Sequence, residues 1–348
     1  MKIYKYPSKK TFKEIMQRSV INSNEIFTDV RKILVDVKTN GDAAVKKYSQ
    51  KFDQVAPSLE LGITQKEIKK AKEKIPNDLK EAINVAIANI SKFHSSQLIK
   101  TEKIETTNGV ICWQKYVPIE NVGLYIPGGT APLLSTLMML AIPAKIAGCK
   151  NLVVCTPPKS DGSVDQAMLY LLDYFKIENA FKVGGAQAIA AMAYGTESIS
   201  KMDKIFGPGN QYVTAAKQLV SLDNTAIDMP AGPSEVAIIA DETANPGFVA
   251  ADFLSQLEHG ADSQAIIITD SKKLLDATII EIEKQQAVLS RKKLIEKAAQ
   301  KSSIVLLENK EDILNFVNDY APEHLIISTK ENKFYIENIK NAGSVFIG

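Results

Sequence analysis

Apolar positions recur at helical spacing through the first hundred residues. Ile26, Phe27, Val30, Ile33, Leu34 and Val37 fall on one face, and Asn24 stands where a helix cap is expected. Asn40-Gly41 supplies a stop, and Asp42 can start the next helix. A longer helix follows Asp78, with Leu79, Ile83, Val85, Ala86, Ile90 and Phe93 as its buried side. Between Ile104 and Val117 the pattern changes to short extended segments, one of them carrying Cys112-Trp113.

From Asn121 the texture alternates. Short β-prone runs (122–126, 152–155, 181–183) are separated by helical stretches (132–146, 163–175, 186–194). A second alternating block starts at Glu235: EVAIIAD, a helix over 246–258, AIIITD, helices over 271–300, SIVLLE, a helix over 311–319, HLIIST, a helix over 331–341, and SVFIG. Strands separated by helices imply βαβ units and parallel sheets. The fold class is therefore α/β, with two Rossmann-like parallel-sheet domains preceded by N-terminal helices. Glycine and proline cluster after the strands of the first block, at Pro127-Gly128-Gly129, Pro157-Pro158, Gly184-Gly185 and Gly207-Pro208-Gly209. Those positions are strand carboxyl ends, where open parallel sheets bind ligands.

Composition narrows the function. The 348 residues carry a formal net charge of +2, which gives no electrostatic reason for a nucleic-acid or anionic-membrane partner. The lysines at 66, 69, 70, 72 and 74 are interleaved with acidic residues and read as a solvated helix face. The N-terminus lacks a secretory apolar run, and no stretch approaches a membrane span. Cys112, Cys149 and Cys155 show no C-x-x-C spacing, which fits a reducing cytoplasm and argues against a cysteine zinc cluster.

No G-x-G-x-x-G is present, so the usual dinucleotide fingerprint is missing. YIPGGT, VGGAQA and FGPGNQ each put glycine at a strand end with a polar side chain beyond it. One alone would be a tight turn; three on consecutive connections suggest a shared ligand crevice. Only three histidines occur. His94, late in an amphipathic helix, reads as structural. Gln256 and His259 in SQLEHG stand three apart, a spacing that can present two ligands to one ion but is more often plain helix surface. His324 in YAPEHL can take a proton near neutral pH, with Glu323 beside it to tune it or activate water; a backbone-satisfied histidine is an equal reading. Ser234, just before a strand, is a turn residue or a substrate hydrogen bond. Cys155 ends a strand, where burial is favoured over a nucleophilic role.

Together the segments VGLYIPGGTAPLLSTLMMLAIPAKIAGC, VGGAQAIAAMAYGTESI, DKIFGPGNQYVTAAK, IDMPAGPSEV, LSQLEHGADSQ and YAPEHL resemble the histidinol dehydrogenase family. The resemblance implies an aldehyde-dehydrogenase-like fold and the oxidation of L-histidinol to L-histidine through L-histidinal, with NAD as hydride acceptor and a zinc ion that orients the substrate. It also implies a cytoplasmic homodimer with shared active sites. Carried over by motif, Tyr125, Gln187 and Asn210 would bind NAD. Ser234, Gln256, His259 and His324 would bind substrate, Gln256 and His259 would ligate zinc, and Glu323 and His324 would be the acid/base pair. On this reading residues 1–21 form an N-terminal arm for dimerisation. Residues 22–124 plus 236–348 form the first Rossmann-like domain, and residues 125–235 the NAD-binding second.

The family's pattern continues past AGSVFIG into a GDYxxGxNHxLPT motif with an aspartate zinc ligand, then a glutamate and a second histidine. These 348 residues contain none of that, so they are expected to cover only part of the product. Three other readings stand beside this one. The first is a related zinc and NAD dehydrogenase of another amino alcohol or a sulfonated diol. The second is a non-catalytic ligand-binding truncation. The third is a thiol-dependent aldehyde dehydrogenase using Cys155.

Overall fold

A computed structural model describes residues 1–18, 23–128, 133–230 and 234–348. Two compact units emerge: a mid-chain unit, Asn22–Pro230, and a split unit, Met1–Ile21 with Ala231–Gly348.

The chain opens with a strand the residue pattern did not announce, β1 (Lys2–Lys5). Four residues with no buried member are too short to show a period. Pairing to another strand makes this one.

In the mid-chain unit the helix Ser23–Asp53 breaks at Gly41, whose φ of 51° and ψ of −132° leave helical space. The break falls where Asn40-Gly41 predicts it. The Asp42 N–H beyond it donates to Glu197 Oε2 at 2.7 Å. The side chain of Asn24 lies outside the described part, so its expected cap does too. An antiparallel hairpin follows, β2 (Ile104–Thr107) and β3 (Val110–Cys112). Then comes a five-stranded parallel sheet: β4 (Asn121–Tyr125), β5 (Asn151–Thr156), β6 (Asn179–Lys182), β7 (Lys204–Phe206) and β8 (Ala226–Ile227). Its order is β6-β5-β4-β7-β8, a Rossmann-like arrangement whose direction reverses between β4 and β7.

Alternation along the strands separates two cores. Val153 and Cys155 face a cluster with Val30, Leu34, Ile189 and Met192, while Leu152 and Val154 face Ile83, Ile87, Leu137 and Met168. This corrects the sequence-based division. Residues 22–124 do not join 236–348; their helices cover the two faces of the mid-chain sheet, whose strands are apolar on both sides.

The split unit repeats the strand order. Its strands are β9 (Glu235–Ala240), β10 (Gln264–Thr269), β11 (Ser303–Leu306), β12 (His324–Ser328) and β13 (Ser344–Ile347). The sheet runs β1-β11-β10-β9-β12-β13, parallel throughout. Residues 1–18 are thus part of this unit rather than a separate arm: β1 adds an edge strand, and Phe12 packs edge-on against Phe316 at 5.0 Å. Every residue of β9 and β10 is buried, which is why both read as unbroken apolar runs.

Candidate active site

The carboxyl end of the mid-chain sheet holds a cavity of about 1030 Å³ lined by Asp53, Tyr125, Gly128, Pro157, Gln187 and Asn210, among others. Tyr125 ends β4 beside the reversal point. Its hydroxyl accepts from the Gly185 N–H at 3.0 Å, and burial pushes its pKa up to about 12, keeping it a neutral phenol. The glycines act by what they lack. A Cβ on Gly128 or Gly184 would overlap Pro157, and one on Gly207, at φ 134°, would strike the Tyr125 carbonyl. Gly129 and Thr130 of YIPGGT lie outside the described residues.

The three polar residues expected here all line the cavity, but differently. Gln187 is 1% exposed, and neither of its amide atoms has a partner. A buried amide left so costs about 1–3 kcal/mol, which points to a ligand that supplies the missing bonds. Asn210 already has work: its Oδ1 caps the helix Gln211–Ser221, accepting from Tyr212 and Val213 at 3.0 and 3.1 Å.

Two neighbours escaped the sequence reading. Asp53 has a buried carboxylate oxygen without a partner, and burial raises its pKa to about 6. Lys217, 4% exposed, donates to the Gly207 carbonyl at 2.7 Å and pairs with Asp228, which accepts from the Gly207 N–H at 2.9 Å. The glycine loop is gripped from both sides. Neither signal is legible in the sequence: Asp53 stands out by burial without a partner, and the grip on Gly207 comes from residues 10 and 21 positions away.

In the split unit the expected residues gather at the opposite edge, the amino ends of three adjacent strands. Ser234 precedes β9. Gln256 and His259 precede β10, and Glu323 and His324 stand at the start of β12. The register sets Glu235 beside Gln264 and Val236 beside His324. Glu235, not singled out in the sequence, joins the last pair: its N–H donates to Glu323 Oε2 at 3.2 Å, and its carbonyl accepts from His324 Nδ1 at 3.1 Å. A carbonyl only accepts, so the neutral ring carries its proton on Nδ1 and keeps a lone pair on Nε2. Glu323 Oε2 is 3.6 Å from the same Nδ1, and the Phe346 ring stacks on the imidazole at 6.1 Å. Residues 231–233 of MPAGPS are outside the described part.

The pair expected to hold zinc fits partly. Gln256 is 7% exposed on the helix Pro246–Leu257, and its buried Nε2 has no partner. His259 is exposed in the turn beyond the helix end, so the two do not share one regular helical face. Among the described residues no cluster of three or more His, Cys, Asp or Glu could hold a metal. Two donors are fewer than zinc sites ordinarily use.

Cys155 drops out as a nucleophile: it is fully buried and burial drives its thiol pKa far upward. That removes the thiol-dependent reading. His94 bonds Gln97 through Nδ1 at 2.7 Å, in keeping with a structural role.

Two parallel α/β units of this kind, one with a ligand cavity at the strand switch point, define an aldehyde-dehydrogenase-like fold. An NAD-dependent aldehyde dehydrogenase from Sinorhizobium meliloti shares the fold, with a TM-score of 0.52 at 12% identity over 92% of this chain and 79% of that one. Sequence relationships narrow the class: the family profile for histidinol dehydrogenase matches residues 16–348. A histidinol dehydrogenase of Bacteroides fragilis is 54% identical over the whole chain, which spans 81% of that relative. The crystal structure of histidinol dehydrogenase from Elizabethkingia anophelis superposes with a TM-score of 0.96 at 47% identity, covering 100% of this chain and 80% of that one. The chain belongs to the histidinol dehydrogenase family, oxidoreductases of histidine biosynthesis.

Proposed function

We propose that this protein catalyses the NAD-dependent, four-electron oxidation of L-histidinol to L-histidine through L-histidinal, the last step of histidine biosynthesis, in the cytoplasm. The observation that carries the reading is the Glu235 peptide group, which holds Glu323 and His324 together and leaves His324 Nε2 as a proton acceptor.

The chain's own residues have separate tasks. Tyr125, Gln187 and Asn210 would hold NAD, which when bound accepts a hydride in each of the two oxidations. The unpartnered Gln187 amide and the N-terminus of the helix Gly185–Tyr194, whose N-cap Gly184 offers no side chain and whose first N–H is met by the Tyr125 hydroxyl, fit the polar and anionic parts of a dinucleotide. Gln256 and His259 would be two ligands of a zinc ion, which supplies a fixed charge that orients the substrate. Ser234, at the same edge, would hydrogen-bond substrate. His324 Nε2 takes the hydroxyl proton as the alcohol carbon gives up its first hydride. Glu323 then accepts a proton from the water that adds to the aldehyde, and His324 takes one from the resulting hydrate as the second hydride leaves. The alcohol and one water become a carboxylate, with two hydrides transferred and three protons released.

A homodimer is part of the same proposal. A lone two-stranded hairpin is marginal in water, yet every residue of β2 and β3 is exposed, as are Leu98, Ile99, Trp113 and Val117 around them. A second copy would cover this patch.

The test is NADH formation with L-histidinol, other amino alcohols and sulfonated diols as parallel substrates. Two NADH per histidinol support the proposal. Turnover of another substrate alone, or NAD binding without turnover of any, overturns it.

A further inference from the structure

One guanidinium ties together the two segments that present the acid/base pair. Arg18 Nε donates to Glu235 Oε1 at 2.5 Å, and its Nη2 donates to Glu235 Oε2 at 2.9 Å. The same Nη2 reaches the carbonyls of Tyr320 and Ala321 at 2.8 and 3.0 Å. Those carbonyls close the helix Lys310–Tyr320, and Ala321 follows in the left-handed region at φ 49°. Glu235 begins β9, and only Pro322 separates Ala321 from Glu323. The Arg18 ring of contacts includes the face of Tyr320, 5.2 Å away.

We propose that Arg18 and Glu235 are positioning residues that fix the tautomer of His324. This rests on the reading of His324 as general base only for its catalytic consequence. Free histidine favours the proton on Nε2, the tautomer that would leave no acceptor there. The opposite form requires an acceptor held steady against Nδ1, and the one within hydrogen-bond distance is the Glu235 carbonyl at 3.1 Å, with the Glu323 carboxylate farther off at 3.6 Å. The His324 side chain is 38% exposed, so water competes for the same proton. The Glu235 side chain is only 7% exposed and cannot move toward solvent while Arg18 grips both its oxygens. Arg18 also holds the left-handed Ala321 turn, a conformation uncommon for a non-glycine residue. The side-chain pair thereby locks the Glu235 peptide on one side of the imidazole and the turn bearing it on the other.

The chain's three histidines make the test direct. Protein labelled with ¹⁵N-histidine would be examined by long-range ¹H–¹⁵N spectra at a pH where imidazole is neutral. The expected result is Nδ1–H for His324 in the native protein and a shift towards Nε2–H in Arg18→Lys and Glu235→Gln. The His94 and His259 signals should stay in place and report that each variant is folded. Should either variant fail to fold, Arg18→Ala with millimolar guanidinium gives a second reading, in which the added ion restores Nδ1–H. An Nε2–H signal in the native protein, or unchanged Nδ1–H in the folded variants, overturns the proposal. None of these readouts involves turnover, so the tautomer lock can fail while the general-base reading survives, and the reverse.

Discussion

The two parallel sheets share one strand order and use opposite edges. In the mid-chain unit the cavity opens at the carboxyl ends, where glycine loops lead into helix N-termini. In the split unit Ser234, Gln256, His259, Glu323 and His324 all stand at the amino ends of β9, β10 and β12. The difference follows from what each edge offers. A carboxyl edge supplies backbone N–H groups and helix dipoles suited to an anionic ligand. An amino edge follows helix C-termini, so it offers carbonyls, which orient an imidazole or pair with a cation. The Glu235 and Ala321 carbonyls are used in those two ways.

If the edges divide the work in this manner, substitutions should separate cleanly. The largest effect is expected at the amino edge. His324→Asn keeps much of the shape without a proton acceptor near neutral pH, and histidinol turnover should fall by roughly 10²–10⁴-fold. NAD titration should be unchanged; a collapse of NAD or substrate binding with turnover kept would make His324 a ligand instead. Next in size is metal retention. If Gln256 and His259 are donors, replacing either with alanine should reduce the zinc retained per protomer against a chelator. Unchanged zinc content in both variants would remove them as ligands.

The carboxyl edge should respond in the opposite sense. Gln187→Leu removes two unpartnered buried amide atoms, so the cofactor-free protein should gain about 1–3 kcal/mol in denaturant unfolding. NAD affinity should drop at the same time, and a variant that is less stable and binds NAD normally would refute the ligand role. Asn210→Ala tests this edge less cleanly, because it also removes a helix cap worth about 1 kcal/mol. Asn210→Asp keeps the cap and is the better probe.

The smallest effect concerns Asp53. Its pKa is raised from 3.8 to about 6 by burial, so between those values the folded state binds the proton more tightly than the unfolded state. Its contribution to stability is therefore present below about pH 4 and lost as pH rises through about 6. Asp53→Asn should raise the melting temperature at pH 7 and leave it nearly unchanged below pH 4. Equal melting curves at both pH values would show that the carboxylate is well solvated.

Much of this was legible along the chain. The α/β class, the nine main parallel strands, the break at Gly41 and the three glycine loops follow from periodicity and from what glycine alone permits. The resemblance carried Tyr125, Gln187, Asn210, Ser234, Gln256, His259, Glu323 and His324, and the structure sorts them to two edges. The division into units was not legible, because an amphipathic helix such as Ser23–Asp53 shows that it has a buried face without showing which sheet covers it. Nor was β1, a strand only through its partner β11.

The sequence by itself determined the local choices: where helices stop, which strands are buried on both faces, and which residue types can exchange protons or approach a ligand closely. Each depends on a few neighbouring side chains and on backbone sterics. Only the tertiary structure decided that Arg18 reaches Glu235, that the Glu235 peptide holds both Glu323 and His324, and that Gln187 is buried without a partner. Hydrogen bonds across more than 80 residues, and the removal of water from an amide, are properties of packing that no window of sequence contains.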